Sequence, residues 1–236
     1  MNDHPATLAM LTFVELRKLV DTLAGVAICV ASAVLAGVFG GGAVLYRRPA
    51  SFGDIALLAG VPGGTLVPVL AILLVTAERS QRTALTTYAL TPRRHRVLLA
   101  KAGAAVALSV AVTPLALLAA AIITPVGSLV TGEPVAWTAD VPALARFTVI
   151  NAGLALSGYG LGLAIGNAPA AIVVVLTWPM VASMLQTASP AAGNVVGWLD
   201  VGAVWTDAAR GATAVGCWIA LPVLIGFRRV LRSEVR

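Results

Sequence analysis

The few charged residues of this sequence divide it into long uncharged stretches, each about as long as a helix that crosses a bilayer. Residues 22–46 and 55–77 contain no charge at all. A bilayer core of about 30 Å requires about 20 apolar residues in helical conformation. Of the 236 residues, 59% are apolar and 11% are charged, against about 25% charged in soluble domains. The sequence therefore predicts a membrane protein and excludes an ordinary soluble enzyme.

The uncharged stretches predict six transmembrane helices in a single domain, 1–236. Pro, Gly and Ser cluster at 125–132, which predicts a loop that ends the third helix. The tripeptide Asn167-Ala168-Pro169 interrupts a stretch that is too long for one crossing, so it predicts a break between two helices. The predicted spans are about 22–46, 55–77, 100–124, 145–166, 169–187 and 211–227.

The basic residues predict the orientation of the chain. Of the 16 Lys and Arg residues, four (Arg47, Arg48, Arg146 and Arg210) lie on one side of the predicted spans, which leaves 12 on the side of both termini. Because basic residues accumulate on the cytoplasmic side of a membrane, both termini are expected in the cytoplasm.

An amphipathic segment precedes the first span. Helical spacing places Met10, Phe13, Leu16 and Val20 on one face of residues 9–21. Such a helix can lie in the headgroup plane with its apolar face toward the acyl chains, so we predict an N-terminal interfacial helix. The alternative is that it extends the first span into the cytoplasm.

Several kinds of chemistry have no residues to support them in this sequence. The central portions of the spans contain no Asp, Glu, Lys, Arg or His, which argues against ion-coupled carriers and intramembrane proteases. His4 and His95 lie outside the spans and far apart, so no metal site is predicted, and Cys29 and Cys217 lie in apolar runs where no disulfide is expected. No phosphate-binding loop occurs. The chain is therefore expected to be neither an enzyme nor a cofactor-binding protein.

The longest internal hydrophilic stretch is 78–101, ERSQRTALTTYALTPRRHRVLLAK. Its first part lacks Pro and Gly as far as Leu90 and predicts a short helix, which Pro92 ends. Anchoring to anionic headgroups accounts for the basic residues near the third span. It does not account for a helix-sized insert, which is typical of a docking element for a cytosolic subunit.

The order of short motifs in this stretch resembles the membrane (permease) subunit of type-2 ATP-binding-cassette (ABC) exporters. The matching elements are Glu78, Arg82-Thr83, Thr91-Pro92-Arg93-Arg94 and Lys101. Arg82 stands where the family usually has glycine, so the local turn differs from the family pattern. The resemblance extends over the whole chain, because the interfacial helix and six spans with both termini inside match the family layout.

This resemblance implies a transport unit in the bacterial cell membrane. Two permeases, identical or homologous, would assemble with two cytosolic ABC ATPase subunits that bind ATP and Mg, and the remaining partners would be membrane lipids, with no nucleic acid. The loop would be the coupling helix, and the ATPase-coupling residues would be Glu78, Arg79, Arg82, Thr83, Thr91, Pro92 and Arg93. Residues 188–210 look like the family's re-entrant extracellular helices, although an ordinary outer loop remains the alternative.

Helix-breaking residues suggest a substrate path. Val61-Pro62-Gly63-Gly64-Thr65 and Pro68 predict that the outer half of the second span is kinked or locally unwound. We expect the first, second and fifth spans to line the path, with Thr65, Asn151, Thr177, Trp178 and Gln186 as candidate contacts. Packing alone is the alternative reading of such breaks. The glycines of the fourth span, Gly158, Gly162 and Gly166, predict a helix-packing face.

The predicted function is export of a hydrophobic or amphipathic compound, such as an antibiotic or other drug, by alternating access powered by the partner ATPase. A path without charges offers no counter-ion to a highly charged cargo. A lipid or lipid-linked glycan is the alternative cargo. A membrane anchor or regulator of an ATPase that transports nothing is the rival class, and a small ungated channel is a third, which the lack of polar rings in the spans opposes.

Overall fold

The computed structural model of the protein describes residues 7–46, 50–80 and 94–232, apart from the side chains at 20, 78–80, 94, 231 and 232. Almost all of this part of the chain is helical. The helices are α1 (Leu8–Val20), α2 (Leu23–Tyr46), α3 (Phe52–Ser80), α4 (Arg94–Thr131), α5 (Val141–Ile165), α6 (Ala168–Ala188), α7 (Pro190–Gly197), α8 (Ala208–Val215) and α9 (Leu221–Arg232). A 3-10 helix, Val201–Trp205, follows α7, and a π-helical turn, Gly216–Ala220, joins α8 to α9.

Six helical segments of the described chain are long and apolar enough to cross a membrane. They are Leu23–Tyr46, Phe52–Ala77, His95–Thr131, Val141–Ile165, Ala168–Ala188 and Ala208–Val230. The all-helical fold and the six-span prediction are confirmed, and the protein is a multi-pass membrane protein by these criteria.

The predicted break between the fourth and fifth spans is confirmed. Gly166 ends α5 in the left-handed conformation, with φ of 69°, which costs glycine nothing because it has no Cβ. The side chain of Asn167 then accepts a hydrogen bond from the amide of Ala170 at 3.1 Å and caps α6. Arg229 donates to the carbonyl oxygens of Ala164 and Ile165 at 2.8 and 3.0 Å, which satisfies the last turn of α5.

The loop predicted at 125–132 is wrong, because α4 continues through it to Thr131. Pro125 lies inside the helix, where membrane helices tolerate proline when neighbouring groups compensate for the lost hydrogen bond. The hydroxyl of Ser128 donates to the carbonyl of Thr124 at 3.1 Å. A Cβ on Gly127 would lie 2.8 Å from Cγ1 of Val44, so the end of α4 is packed closely against α2.

Local unwinding of the second span is also not found, because α3 is helical throughout Phe52–Ser80, including Pro62 and Pro68. Glycines permit close packing at this point. A Cβ on Gly60 would lie 2.7 Å from the ring of Phe147, and one on Gly63 would lie 3.0 Å from Val112. Packing by α4 and α5 therefore covers the segment where the prolines remove backbone donors.

Helix α3 is the centre of the bundle and contacts α2, α4, α5 and α6. Its packing against α5 confirms the predicted small-residue face at two positions. A Cβ on Gly158 would collide with the backbone of Pro68, 2.8 Å from its Cα, and one on Gly162 would lie 3.2 Å from Cα of Ile72. Gly166, the third glycine of the predicted face, forms the C-cap of α5.

Two short helical segments, α7 and the 3-10 helix, lie where the paired re-entrant helices were predicted. Trp198 and Trp205 are 44% and 47% exposed there. Trp218 of the π-helical turn donates from Nε1 to the carbonyl of Leu199 at 3.0 Å. The short helices are thus tied to the sixth membrane-length segment.

Candidate functional site

A buried ion pair joins α1 to α4. The Lys101 ammonium lies 2.6 Å from Oε2 of Glu15, and the two side chains are 3% and 7% exposed. Lys101 also donates to the carbonyl of Leu74 in α3 at 2.9 Å, while Lys18 donates to Oε1 of Glu15 at 2.7 Å. The Glu15 carboxylate therefore bridges two ammonium groups. We call Glu15, Lys18, Lys101 and the Leu74 carbonyl the ion-pair network.

Apolar packing holds α1 in place around this network. Leu19 is buried together with Leu70 and Leu74 of α3 and Ala104 of α4. A Cβ on Gly103 would lie 3.1 Å from the hydroxyl oxygen of Thr12, so the backbone of α4 lies close to α1. The face of α1 that carries the buried carboxylate is therefore fixed against α3 and α4.

The ion-pair network lies near both ends of residues 81–93, the connection in which the sequence predicts ATPase coupling. Leu74 lies two helical turns or less before Ser80, the last residue of α3. Lys101 lies about two turns after Arg94, the first residue of α4. At 1.5 Å per residue, the network lies roughly 10 Å along the helix axis from each end of the connection. The network therefore joins α3 and α4 close to the described ends of these helices and reaches α1 through Glu15.

A buried ion pair fixes geometry more than it adds stability. Desolvation of the two charges offsets most of their attraction, but loss of one partner leaves the other charge buried and uncompensated. The pair therefore penalises every position of α1 that would separate Glu15 from Lys101. This arrangement links α1 to α3 and α4 in the conformation described.

The predicted ATPase-coupling residues lie largely outside the described residues. Glu78 and Arg79 are in the last turn of α3, and the structure describes their backbone but not their side chains. The other five, Arg82, Thr83, Thr91, Pro92 and Arg93, fall in 81–93 and are not described.

The candidate substrate contacts occur in two different environments. Thr65, Thr177 and Gln186 are exposed on the helices. The two threonine hydroxyls donate to carbonyls of their own helices, at 2.9 Å to Val61 and 2.7 Å to Val173. Because each hydroxyl has a hydrogen-bond partner in its own helix, both threonines are compatible with an apolar surrounding. The structure shows no hydrogen bond between any two of the five candidates over the described chain.

Asn151 is instead buried inside the protein, and Trp178 is partly buried. Asn151 is 3% exposed, its amide lies against Gly64, and its Nδ2 has no hydrogen-bond partner in the described structure. The ring of Trp178 packs on that of Trp218, with 5.0 Å between centroids. These contacts give both residues a packing role in this conformation, next to the helix segments that contain Pro68 and Pro179.

Sequence reasoning missed the pairing of Glu15 with Lys101, which are 86 positions apart. The sequence places Lys101 in the family motif and indicates no partner for it. A signal was present: Lys101 is followed by an uncharged stretch and needs an acidic partner if it is buried. Glu15, Asp21 and Glu78 are the acids near the same ends of the predicted spans, but the sequence does not select among them.

Comparison of the chain with protein-family models and with curated proteins finds no match. The resemblance to type-2 ABC exporter permeases therefore stays a prediction from the motif order in the sequence.

Proposed function

We propose that this protein is the membrane subunit of a type-2 ABC exporter, driven by a separate cytosolic ATPase. The observation that carries the proposal is the ion-pair network, which joins α1, α3 and α4 about 10 Å from both ends of the connection 81–93. An ATPase that moves this connection would move three helices together. This linkage would transmit the displacement into the membrane during alternating access.

The proposed assembly contains two copies of the ATPase, which bind ATP and Mg, and a second permease copy, identical or homologous. The distribution of basic residues supports cytoplasmic termini in a bacterial cell membrane. In that orientation the connection 81–93 faces the cytoplasm, where an ATPase is available, and the short helices before α8 face outward.

The proposed cargo is a hydrophobic or amphipathic compound such as an antibiotic or other drug. The exposed faces of the membrane-length helices present apolar side chains. The hydroxyls on these faces, as at Thr65 and Thr177, are hydrogen-bonded to carbonyls of their own helices. These groups suit a cargo of low charge. A lipid or lipid-linked glycan fits the same surfaces and is the alternative cargo.

Replacement of Glu78, Arg79 and Arg82 together by alanine is expected to abolish stimulation of a co-purified ATPase by the permease. These residues would supply the polar contacts that seat the coupling helix on the ATPase. The measurement is ATP hydrolysis by the reconstituted complex, with and without the permease. A triple variant with the same charge change on the predicted opposite side, Glu133, Arg146 and Arg210 to alanine, serves as the control and should keep the stimulation. Unchanged stimulation in the Glu78 variant would contradict the proposed docking site.

Trp178→Ala is expected to reduce transport of the native substrate, because it removes an aromatic surface beside Pro179 and its contact with Trp218. Trp178→Phe keeps an aromatic ring and should retain most of the transport. Thermal unfolding of both variants separates loss of packing from loss of a substrate contact. Transport by Trp178→Ala at the wild-type rate would remove this residue from the path.

A further inference from the structure

Helix α1 has two opposite faces with different environments. The inner face, made by Thr12, Glu15, Leu16 and Leu19, packs on α3 and α4. The outer face carries residues at spacings of three and four, namely Met10, Phe13, Val14 and Arg17. The sequence prediction grouped Leu16 with the lipid-facing residues, and the structure corrects this, because Leu16 is partly buried against α3 and α4.

The outer face is apolar, exposed and placed at the edge of the membrane-length helices. Phe13 and Met10 are 66% and 62% exposed. Only Asp21 and Thr22 separate α1 from the first membrane-length helix, Leu23–Tyr46. The leucines that contact α1, Leu70 and Leu74, belong to the membrane-length segment Phe52–Ala77. Continuity with these segments favours a position of the outer face of α1 at the bilayer surface.

The charge of this face favours anionic headgroups. The acidic residue within α1, Glu15, points inward and pairs with Lys101, so its charge does not oppose an anion at the outer face. Arg17 and Lys18 occupy the last turn of α1. Arg17 is 75% exposed, and its contact with the equally accessible Asp21 is long, at 3.8 Å, so the guanidinium is available to an incoming phosphate. A guanidinium forms paired hydrogen bonds with phosphate oxygens.

We propose that the outer face of α1 is a binding surface for anionic phospholipid. Arg17 contacts the headgroup phosphate, while Met10, Phe13 and Val14 contact the upper acyl chains. The proposal goes beyond an interfacial position for α1, because it specifies the charge of the lipid and the residue that binds its phosphate. It does not depend on the exporter function. Lipid bound here would contact the outer face of α1. The inner face of the same helix carries the ion-pair network.

The test compares lipids of equal chain length and different charge. The full chain is purified in detergent and titrated with phosphatidylglycerol or phosphatidylcholine, while native mass spectrometry counts bound lipid and thermal unfolding reports stabilisation. We expect phosphatidylglycerol to bind in preference to phosphatidylcholine by fivefold or more and to raise the unfolding midpoint further. Arg17→Gln should remove this preference, and Arg17→Lys should retain most of it. The matched control is Arg146→Gln, an exposed arginine at the other end of the bundle, which should behave as wild type.

Three results would overturn the proposal. Equal binding of the two lipids by the wild type, or an unchanged preference in Arg17→Gln, would exclude an anionic lipid site at this face. If Phe13→Ser converts a dimer into a monomer in light scattering and leaves lipid binding unchanged, the occupant is a second copy of the chain. Both readouts are independent of ATP hydrolysis and transport, so failure here is distinguishable from failure of the proposed exporter function.

Discussion

Glu15→Ala and Lys101→Ala are each expected to destabilise the protein by about 3–5 kcal/mol, the usual cost of removing one partner of a buried ion pair. The distance of 2.6 Å and the exclusion of both side chains from solvent place this pair in the buried class. Neither single variant should support ATPase stimulation, because α1 would lose its ionic link to α4 and keep only apolar packing there. The measurement is the apparent free energy of unfolding in a dodecyl sulfate titration.

Two further variants distinguish the loss of the ion pair from other effects of shortening the side chains. The double variant Glu15→Leu with Lys101→Met replaces the ions by apolar groups of similar volume and should recover most of the lost stability. Arg17→Ala removes the exposed pair with Asp21 and should cost at most about 1 kcal/mol. If Glu15→Ala and Arg17→Ala cost the same, the ion-pair network is not buried as described.

Gly158→Ala is expected to cost about 1–3 kcal/mol or more, the range for overpacking a close contact. The upper end applies because the obstacle is the backbone of Pro68, whose Cα would lie 2.8 Å from the new Cβ. A backbone atom of a neighbouring helix cannot rotate away as a side chain does. The loss should appear as a lower free energy of unfolding, because α3 and α5 would pack less closely.

Gly37→Ala is the matched control for this prediction. Gly37 lies in α2, another membrane-length helix, and a Cβ there would meet nothing within 4 Å of the described chain. Alanine is the better helix former by about 0.5–1 kcal/mol, so this variant should be neutral or slightly stabilising. Equal losses for Gly158→Ala and Gly37→Ala would contradict the close packing of α3 against α5.

The elements that the sequence predicts well are those governed by charge and by local capping. Charged residues are expensive inside a bilayer, so their positions delimit the six membrane-length helices. The turn at Asn167 is also local, because a glycine in left-handed conformation and an asparagine cap act within a few residues. These features require no knowledge of the neighbouring helices.

The elements that the sequence does not predict depend on tertiary packing. Rules for proline derived from soluble proteins predict a loop at Pro125 and a kink or unwinding near Pro62. The structure has helix at both positions, packed closely against Val44 and Phe147. The pairing of Glu15 with Lys101 likewise requires α1 to fold back on α3 and α4. Asn151, predicted as a substrate contact, lies against Gly64 within the bundle, and transport by its variants is the test of that prediction.

The most direct test of the exporter proposal is ATP-dependent accumulation in inverted proteoliposomes that contain this chain and its co-purified ATPase. The probes are two amphipathic dyes, one neutral and one monocationic, chosen because the membrane-length helices offer no counter-ion for a highly charged cargo. We predict that at least one dye accumulates with ATP and that Glu78→Ala/Arg79→Ala/Arg82→Ala vesicles accumulate none. The contrary result is that neither dye accumulates and that the ATPase, although it binds the chain, hydrolyses ATP at the same rate with and without the chain. In that case the protein is a membrane anchor and the exporter proposal is wrong.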